Sequence, residues 1–448
     1  MNVKGEKVYI ALGSNLGDRV GYIQQALAKM AEFVDIEQVS FLYETPPAYV
    51  LDQPLFLNAV CQGFTALSPF ELLDALEQLM ADIGRVRDRR YGPRVIDLDI
   101  LLYGTIQVDD PKLTIPHALM AERDFVLQPL CDIAANLLHP VLGESIQQLN
   151  EALNAPPLPK VMPVAGDLWH WGTKSFVMGI INMTPDSFSG DGLLQDGGDG
   201  VQQAVAQAQR FAQEGADCLD VGGVSTKPDH QLISTEEEIG RIIPAIRAIT
   251  QECNIPVSVD TFRAEVAEAA IHAGASMIND VHGLGYSQRI ADVAAHVQVP
   301  LIVMHNRASV TYLSELELPP IGPPYEYEDV VHDVRTELAQ RLDLAQKLSI
   351  PRWHLIGDPG IGFGKTAAQQ LKLINQFAQL KSLGYPLLLG ASRKAFIGKI
   401  LGGLPADQCL EGNLATHVVG ITRGADIVRV HDVQAMSRAV QLVDALVR

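Results

Sequence analysis

Arg94-Val95-Ile96-Asp97-Leu98-Asp99-Ile100-Leu101-Leu102 follows directly on an arginine-dense loop. The Val, Ile and Leu residues around the two aspartates read as a strand, in which residues i and i+2 point to one face. One face of a buried strand therefore carries two negative charges, which repel unless a divalent ion lies between them. Just before it, Arg85, Arg87, Arg89, Arg90 and Arg94 place five guanidinium groups within ten residues. Two acids suited to Mg2+ beside arginines suited to phosphate oxygens are what a nucleotide phosphoryl-transfer site needs. Each part alone has a plainer reading, a solvent-facing strand and a solvated loop; their juxtaposition against an apolar run favours the site.

Outward from this stretch the chain reads as α+β. A strand at Val8–Leu12 leads to a helix from Asp18 to Met30, a strand at Glu37–Tyr43 and another at Phe56–Phe64. Ser68-Pro69-Phe70-Glu71 has an N-cap, a proline at the first helical position and an acidic first turn, so a helix runs to Ile83. An open, ferredoxin-like sheet with flanking helices is the expected architecture of residues 1–155. Pro156, Pro157, Pro159 and Pro163 then rule out a helix interior or a central strand, and residues 156–172 read as a stiff linker.

Residues 173–448 have a different rhythm. Apolar runs at Phe176–Met183, Cys218–Gly223, Pro256–Thr261, Ser276–Val281, Pro300–His305, Trp353–Pro359, Pro386–Arg393 and Ile427–Val433 alternate with amphipathic stretches. Continuous rather than alternating runs fit parallel strands covered by helices, and eight regular units favour a closed α/β (TIM) barrel over a doubly wound open sheet. Such barrels place their chemistry at the C-terminal ends of the strands. Asn182, Asp220, Asp260, Asn279, Asp280, His305, Asp358, Ser392, Arg393, Lys394, Arg429 and His431 stand at those ends. Asp260, Asn279 and Asp358 suit the donor edge of a heterocycle, while strands seven and eight offer a cationic wall. A planar, amide-bearing ring with an anionic tail is the expected ligand. Gly360-Ile361-Gly362-Phe363-Gly364-Lys365-Thr366 lacks the first glycine of a Walker A loop, having Pro359 there, and reads as a glycine-rich barrel loop.

The 448 residues exceed one ordinary core, and 47% hydrophobic with 19% charged content is globular. A net charge of −19 argues against a general nucleic-acid or membrane-surface binder. Five scattered cysteines without a C-x-x-C indicate neither a zinc site nor a disulfide framework, and the expected compartment is the reducing cytoplasm.

These motifs carry a resemblance. Ala11-Leu12-Gly13-Ser14-Asn15-Leu16-Gly17, Thr45-Pro46-Pro47, Asp52-Gln53-Pro54, Gly84-Arg85-Val86-Arg87, Tyr91-Gly92-Pro93-Arg94, Asp97-Leu98-Asp99 and Pro116-His117 are similar to 6-hydroxymethyl-7,8-dihydropterin pyrophosphokinase. Gly179 to Ser189, Asp220-Val221-Gly222-Gly223, Ser258-Val259-Asp260-Thr261, Ile278-Asn279-Asp280, Asp358-Pro359-Gly360, Gly362-Phe363-Gly364-Lys365, Ser392-Arg393-Lys394 and Arg429-Val430-His431-Asp432-Val433 resemble dihydropteroate synthase. Together they cover nearly the whole chain and imply a fused enzyme of two consecutive folate-pathway steps.

In the first half the resemblance implies that Asp97 and Asp99 hold two Mg2+ ions. Arg85, Arg87, Arg90, Arg94, His117 and Arg123 then bind the substrate ATP, and Thr45, Phe56 and Asn58 border the pterin. In the second half it implies pterin binding by Asp260, Asn279, Asp358 and Lys394, and one Mg2+ at Asn182. Arg429 and His431 form the anion pocket, and Thr226 and Ser392 border p-aminobenzoate. It also implies a homodimer through the barrel. The chain departs from the pattern at Phe56, Met80 and Tyr91, leaves Arg89 and Arg90 as alternatives, and has Val224, Lys227 and Asp229 in the second barrel loop. Lys keeps the charge of an arginine but loses its fork. Two rival readings are a barrel that only binds a pterin, as a methyl-carrier domain does, and a regulatory nucleotide sensor in the first half. The cationic wall argues against one, and the retained aspartate pair against the other.

Overall fold

The structure, a computed structural model, describes residues 5–48, 50–86, 92–185, 192–194, 199–224, 233–307 and 325–448. The first sheet is built from β1 (Glu6–Ser14), β2 (Asp35–Val39), β3 (Leu42–Thr45), β4 (Phe56–Thr65) and β5 (Asp97–Tyr103), beside a small hairpin of β6 (Val108–Asp110) and β7 (Leu113–Ile115). Its helices start where local chemistry dictates. The Asp18 carboxylate accepts the Gly21 N–H at 2.9 Å to open Arg19–Met30. A reciprocal Ser68–Glu71 capping box with Pro69 opens Pro69–Ile83, which Gly84 ends at φ +105°.

Strand order is β5-β1-β4-β3, with β2 also on β4. The expected single strand at Glu37–Tyr43 is two. Val39 faces Cys61 and Tyr43 faces Asn58, so three residues oppose two, a bulge that the sequence pattern hides. The Ser40 hydroxyl fills it by accepting the Val60 N–H at 2.9 Å. With β2 and β3 counted as one strand, this is the β-α-β-β-α-β order of a ferredoxin-like sheet. The 156–172 stretch differs from a plain linker: β8 (Lys160–Val164) pairs with β3, and β9 (Asp167–His170) extends the same sheet. Pro163 fits because it lies beyond the two ladder pairs, Val161 with Leu42 and Lys160 with Tyr43.

The second sheet is parallel: β10 (Phe176–Asn182), β11 (Cys218–Gly222), β12 (Val257–Asp260), β13 (Met277–Asp280), β14 (Leu301–Met304), β15 (Leu355–Asp358), β16 (Leu388–Leu389) and β17 (Ile427–Val430). Each falls within one of the eight apolar runs. The order β15-β14-β13-β12-β11-β10-β17-β16 is drawn round by a parallel bridge from Gly357 to Leu387, giving a nearly closed barrel. The surrounding helices bury one stripe each; Thr235–Glu252, for example, buries Ile242, Ala245, Ile246 and Ile249. Among the described residues no helix is long and apolar enough to cross a membrane.

Candidate active sites

In the first unit, sheet register builds the site. Gly13 on β1 pairs with Asn58 on one side and Asp97 on the other; Ala11 pairs with Asp99. Small residues beside each aspartate leave the sheet face open above them. A Cβ on Gly13 would sit 3.1 Å from Asn58 Oδ1, so glycine spares the amide. The buried Asn58 donates to Thr45 Oγ1 at 2.7 Å, which fixes both polar groups on the same edge.

A cavity of about 360 Å³ lies over this face. It is lined by all nine described residues expected of the first site: Thr45, Phe56, Asn58, Arg85, Arg94, Asp97, Asp99, His117 and Arg123. Arg87 and Arg90, with Arg89 and Tyr91, lie outside the described residues. Asp97 is gripped at both oxygens, by Arg85 Nη1 at 2.7 Å and Arg94 Nη1 at 2.5 Å. Enclosure raises the Asp99 carboxyl above the ordinary carboxylate range and the negative charge of Asp97 raises it further, against the pull of Arg123, Arg85 and Arg94. Burial and the charge of Arg123 push the His117 imidazole down to about 4, so it is neutral at pH 7.

The arginine loop is anchored by Asn15. Its carboxamide accepts the Arg94 N–H at 2.8 Å and donates to Gln53 Oε1 at 3.2 Å and Pro54 O at 3.1 Å. One buried side chain thus ties together three of the sequence motifs. Met80 is buried beside Arg85, and its sulfur accepts the Leu98 N–H at 3.2 Å. A thioether there packs against the strand rather than offering a charge to the cavity.

In the barrel, Asn182, Gly222, Asp260 and Asn279 form one row of register partners across β10 to β13. A second cavity, about 260 Å³, is lined by all eight described residues expected there: Asn182, Asp260, Asn279, Asp358, Ser392, Lys394, Arg429 and His431. Thr226, with Lys227 and Asp229, lies outside the described residues, while Val224 lines the cavity.

The cations of the barrel are less segregated than the strand-end inventory suggests. Arg429 Nη2 meets Asp260 Oδ2 at 2.7 Å and its Nε meets Asp220 Oδ2 at 2.5 Å. Asn279 Nδ2 also donates to Asp220 Oδ2, at 2.9 Å. Asp220 is fully buried and received no role from the sequence; it orients two cavity residues at once. Its signal was available, since Asp220 lies two residues before Gly222 and so shares its face. Burial opposes the charge of Arg429, but Asp220 and Asp260 outweigh it and raise its pKa. Burial raises Asp260 and lowers Lys394, the latter to about 8 with a further contribution from Arg429. Asp358, also buried, is pushed up to about 6.

Three strand-end residues are held by partners in the scaffold, though Arg393 also lines the cavity. Asp280 accepts the His282 and Leu284 N–H groups at 2.8 and 2.7 Å, capping its own turn. Arg393 donates to Asp432 Oδ1 at 2.8 Å. His305 bonds Glu337 at 2.9 Å. Ser392 Oγ and His431 Nδ1 lie 2.9 Å apart at the cavity wall.

Comparison with known proteins matches both units. The family described as 7,8-dihydro-6-hydroxymethylpterin-pyrophosphokinase matches residues 9–135, and the family described as pterin binding enzyme matches residues 178–431. A folate synthesis bifunctional protein of Pisum sativum is 39% identical across 100% of this chain and 91% of its own length. This chain belongs to the bifunctional folate-synthesis family. It is therefore a bifunctional transferase with a pyrophosphokinase half and a dihydropteroate synthase half. The Arabidopsis thaliana folate synthesis bifunctional protein is 38% identical over 98% of this chain and 96% of its own. Against the folic acid synthesis protein fol1 of Pneumocystis carinii, 39% identical, the chain spans only 60% of the relative's length. The solved dihydropteroate synthase of Xanthomonas albilineans with 4-aminobenzoic acid is 38% identical, covers 64% of this chain and 97% of its own, and superposes with a TM-score of 0.57. A solved HPPK-DHPS in complex with substrates, 18% identical, shares the fold with a TM-score of 0.81 over 99% of this chain and 100% of its own.

Proposed function

We propose that the chain performs two consecutive steps of folate biosynthesis. ATP donates a pyrophosphoryl group to the hydroxymethyl oxygen of 6-hydroxymethyl-7,8-dihydropterin, and AMP leaves. The pyrophosphate ester then loses pyrophosphate, and the amine of p-aminobenzoate attacks the pterin methylene, forming a C–N bond, losing a proton and giving 7,8-dihydropteroate. The observation that carries this reading is the pairing of two separate cavities, each lined by every described residue that its reaction calls for.

In the kinase pocket Arg85 and Arg94, with Arg87 and Arg90, take the ATP phosphates, alongside His117 and Arg123. Thr45, Phe56 and Asn58 border the pterin. Asp97 and Asp99 would hold Mg2+, two ions in this reading, and the site fits: both carboxylates line one cavity beside arginines suited to phosphate. Among the described residues no group of three or more His, Cys, Asp or Glu converges on one point, and Mg2+ needs no such cage, since it accepts one or two carboxylates plus phosphate oxygens and water. When bound, Mg2+ neutralises phosphate charge and orients the oxygens for in-line displacement.

In the barrel Asp260, Asn279 and Asp358 accept and donate along the pterin edge, and Lys394 holds its ring. Arg429 and His431 receive the pyrophosphate, with Asn182 as the amide ligand for one Mg2+, while Ser392 and Thr226 border p-aminobenzoate. A kinase domain from residue 1 to 155 extended by the strands at 160–170, a barrel from 173 to 448, a homodimer through the barrel and a cytoplasmic setting complete the reading. Incubating the full chain with the hydroxymethyl pterin, ATP, Mg2+ and p-aminobenzoate tests it. AMP and dihydropteroate should both accumulate; AMP without dihydropteroate, or neither, contradicts it.

A further inference from the structure

The glycine-rich loop after β15 is shaped by a lysine that does not line the cavity. Lys365 is buried, which lowers its pKa to about 7, and its Nζ has three partners: Gly360 O at 3.0 Å, Phe363 O at 3.1 Å and His305 Nδ1 at 3.2 Å. The Glu337 carboxylate Oε2 can only accept, so His305 Nε2 donates to it at 2.9 Å, and Nδ1 of the neutral ring is left to accept from Lys365. Arg307 holds the other oxygen of Glu337 at 2.5 Å. Burial and the charge of Lys365 drive the His305 imidazole down to about 3, which keeps it neutral and able to accept. A chain of hydrogen bonds therefore runs from helix Val330–Lys347 through His305 to the carbonyls of the loop.

That loop touches groups assigned to the pterin. Gly360 N–H donates to Asp358 Oδ1 at 2.7 Å. The loop wraps so tightly that a Cβ on Gly362, at φ +92°, would meet Lys394 Cδ at 2.7 Å. Lys394 Nζ sits 4.5 Å from the centre of the Phe363 ring, which belongs to a buried cluster with Phe262, Val281 and Met304. The backbone carbonyls that Lys365 draws inward are those of Gly360 and Phe363, the two residues that bear directly on Asp358 and Lys394.

We infer that Lys365 is a positioning residue for the synthase reaction, a buried amino group whose hydrogen bonds to the loop carbonyls fold the Gly360–Gly364 loop so that Asp358 and Lys394 are set for the pterin, with Glu337 and His305 fixing its orientation. The inference rests on the pterin assignment of this pocket. Lys365→Met keeps the apolar stem and removes the amino group. In the purified full chain it should raise KM for the pterin pyrophosphate ester about tenfold or more and change kcat far less. Glu337→Gln, which weakens the hold on His305 together with the ion pair to Arg307, should raise the same KM by a smaller factor. A merely structural role would lower the active fraction, and so the apparent kcat, and leave KM in place. AMP formation by the kinase half should be unchanged in both variants. A wild-type KM in Lys365→Met overturns the inference; where that variant does not fold, a wild-type KM in Glu337→Gln does so. Absence of dihydropteroate formation in the wild-type chain would instead remove the reading of the pocket itself, so the two failures are distinct.

Discussion

The two pockets collect their charges in opposite ways. In the kinase half, Arg85, Arg94, Asp97 and Asp99 come from one short stretch, and the two registers of β1 bring Asn58 to the same site across Gly13. In the barrel, Asn182, Asp260, Asn279, Asp358, Lys394 and Arg429 come from six different strands or the loops after them, and only closure brings them together. A site written locally is conspicuous in the sequence, while a site written by topology is visible only once the strands have been counted. The first also balances its charge by direct pairing at its edge, the second by burying an acid, Asp220, beneath an arginine.

That contrast can be broken most forcefully at Asp97. Asp97→Ala or Asp99→Ala should lower ATP-dependent AMP formation on the order of 10³-fold, since each removes a metal-holding carboxylate; a loss of only a few fold would mean that the pair is a strand feature without a catalytic role. Next in size, Lys394→Ala should reduce condensation about a hundredfold while AMP formation persists, measured by dihydropteroate release from the supplied ester. Undiminished condensation would detach Lys394 from the site. Asp220→Asn sharpens the barrel side: with Arg429 less firmly held, kcat/KM for the ester should fall about tenfold, and an unaltered value would show that Asp260 suffices to hold the guanidinium.

The smallest expected effect is in the pH profiles. The buried Asp358 carboxyl, raised to about 6, becomes neutral below that pH, and Lys394, lowered to about 8, loses its charge above it. Synthase kcat/KM should therefore fall on both sides of a maximum between these values. The kinase profile should have no alkaline limb matching that of Lys394. The cations expected there are guanidinium groups, which do not deprotonate in proteins. Identical profiles for the two reactions would contradict the assignment of Lys394.

Much of this was legible in the chain itself, and the exceptions have physical causes. The barrel strands are continuous apolar runs because both faces are covered, which makes them easy to find; even β16, reduced to Leu388–Leu389, sits inside the expected run. The bulge between β2 and β3 is not legible, because its extra residue is compensated by the Ser40 hydroxyl rather than by any change in hydropathy. β8 and β9 were obscured by prolines that the short ladder tolerates. Cavity residues could be read from strand ends, but the partners that hold them could not. Asp220 could be placed on the right face by its strand position, but its partners, like those of Asn15 and Lys365, lie far away in sequence, and no spacing rule announces such bonds.

The central claim is that one chain holds two pockets that work separately on the same pterin. The most direct measurement is dihydropteroate formation by Asp97→Ala supplied with the pterin pyrophosphate ester and p-aminobenzoate. Formation at the wild-type rate, with no AMP produced from ATP, is the predicted result. Loss of both reactions in a variant that remains folded would contradict it.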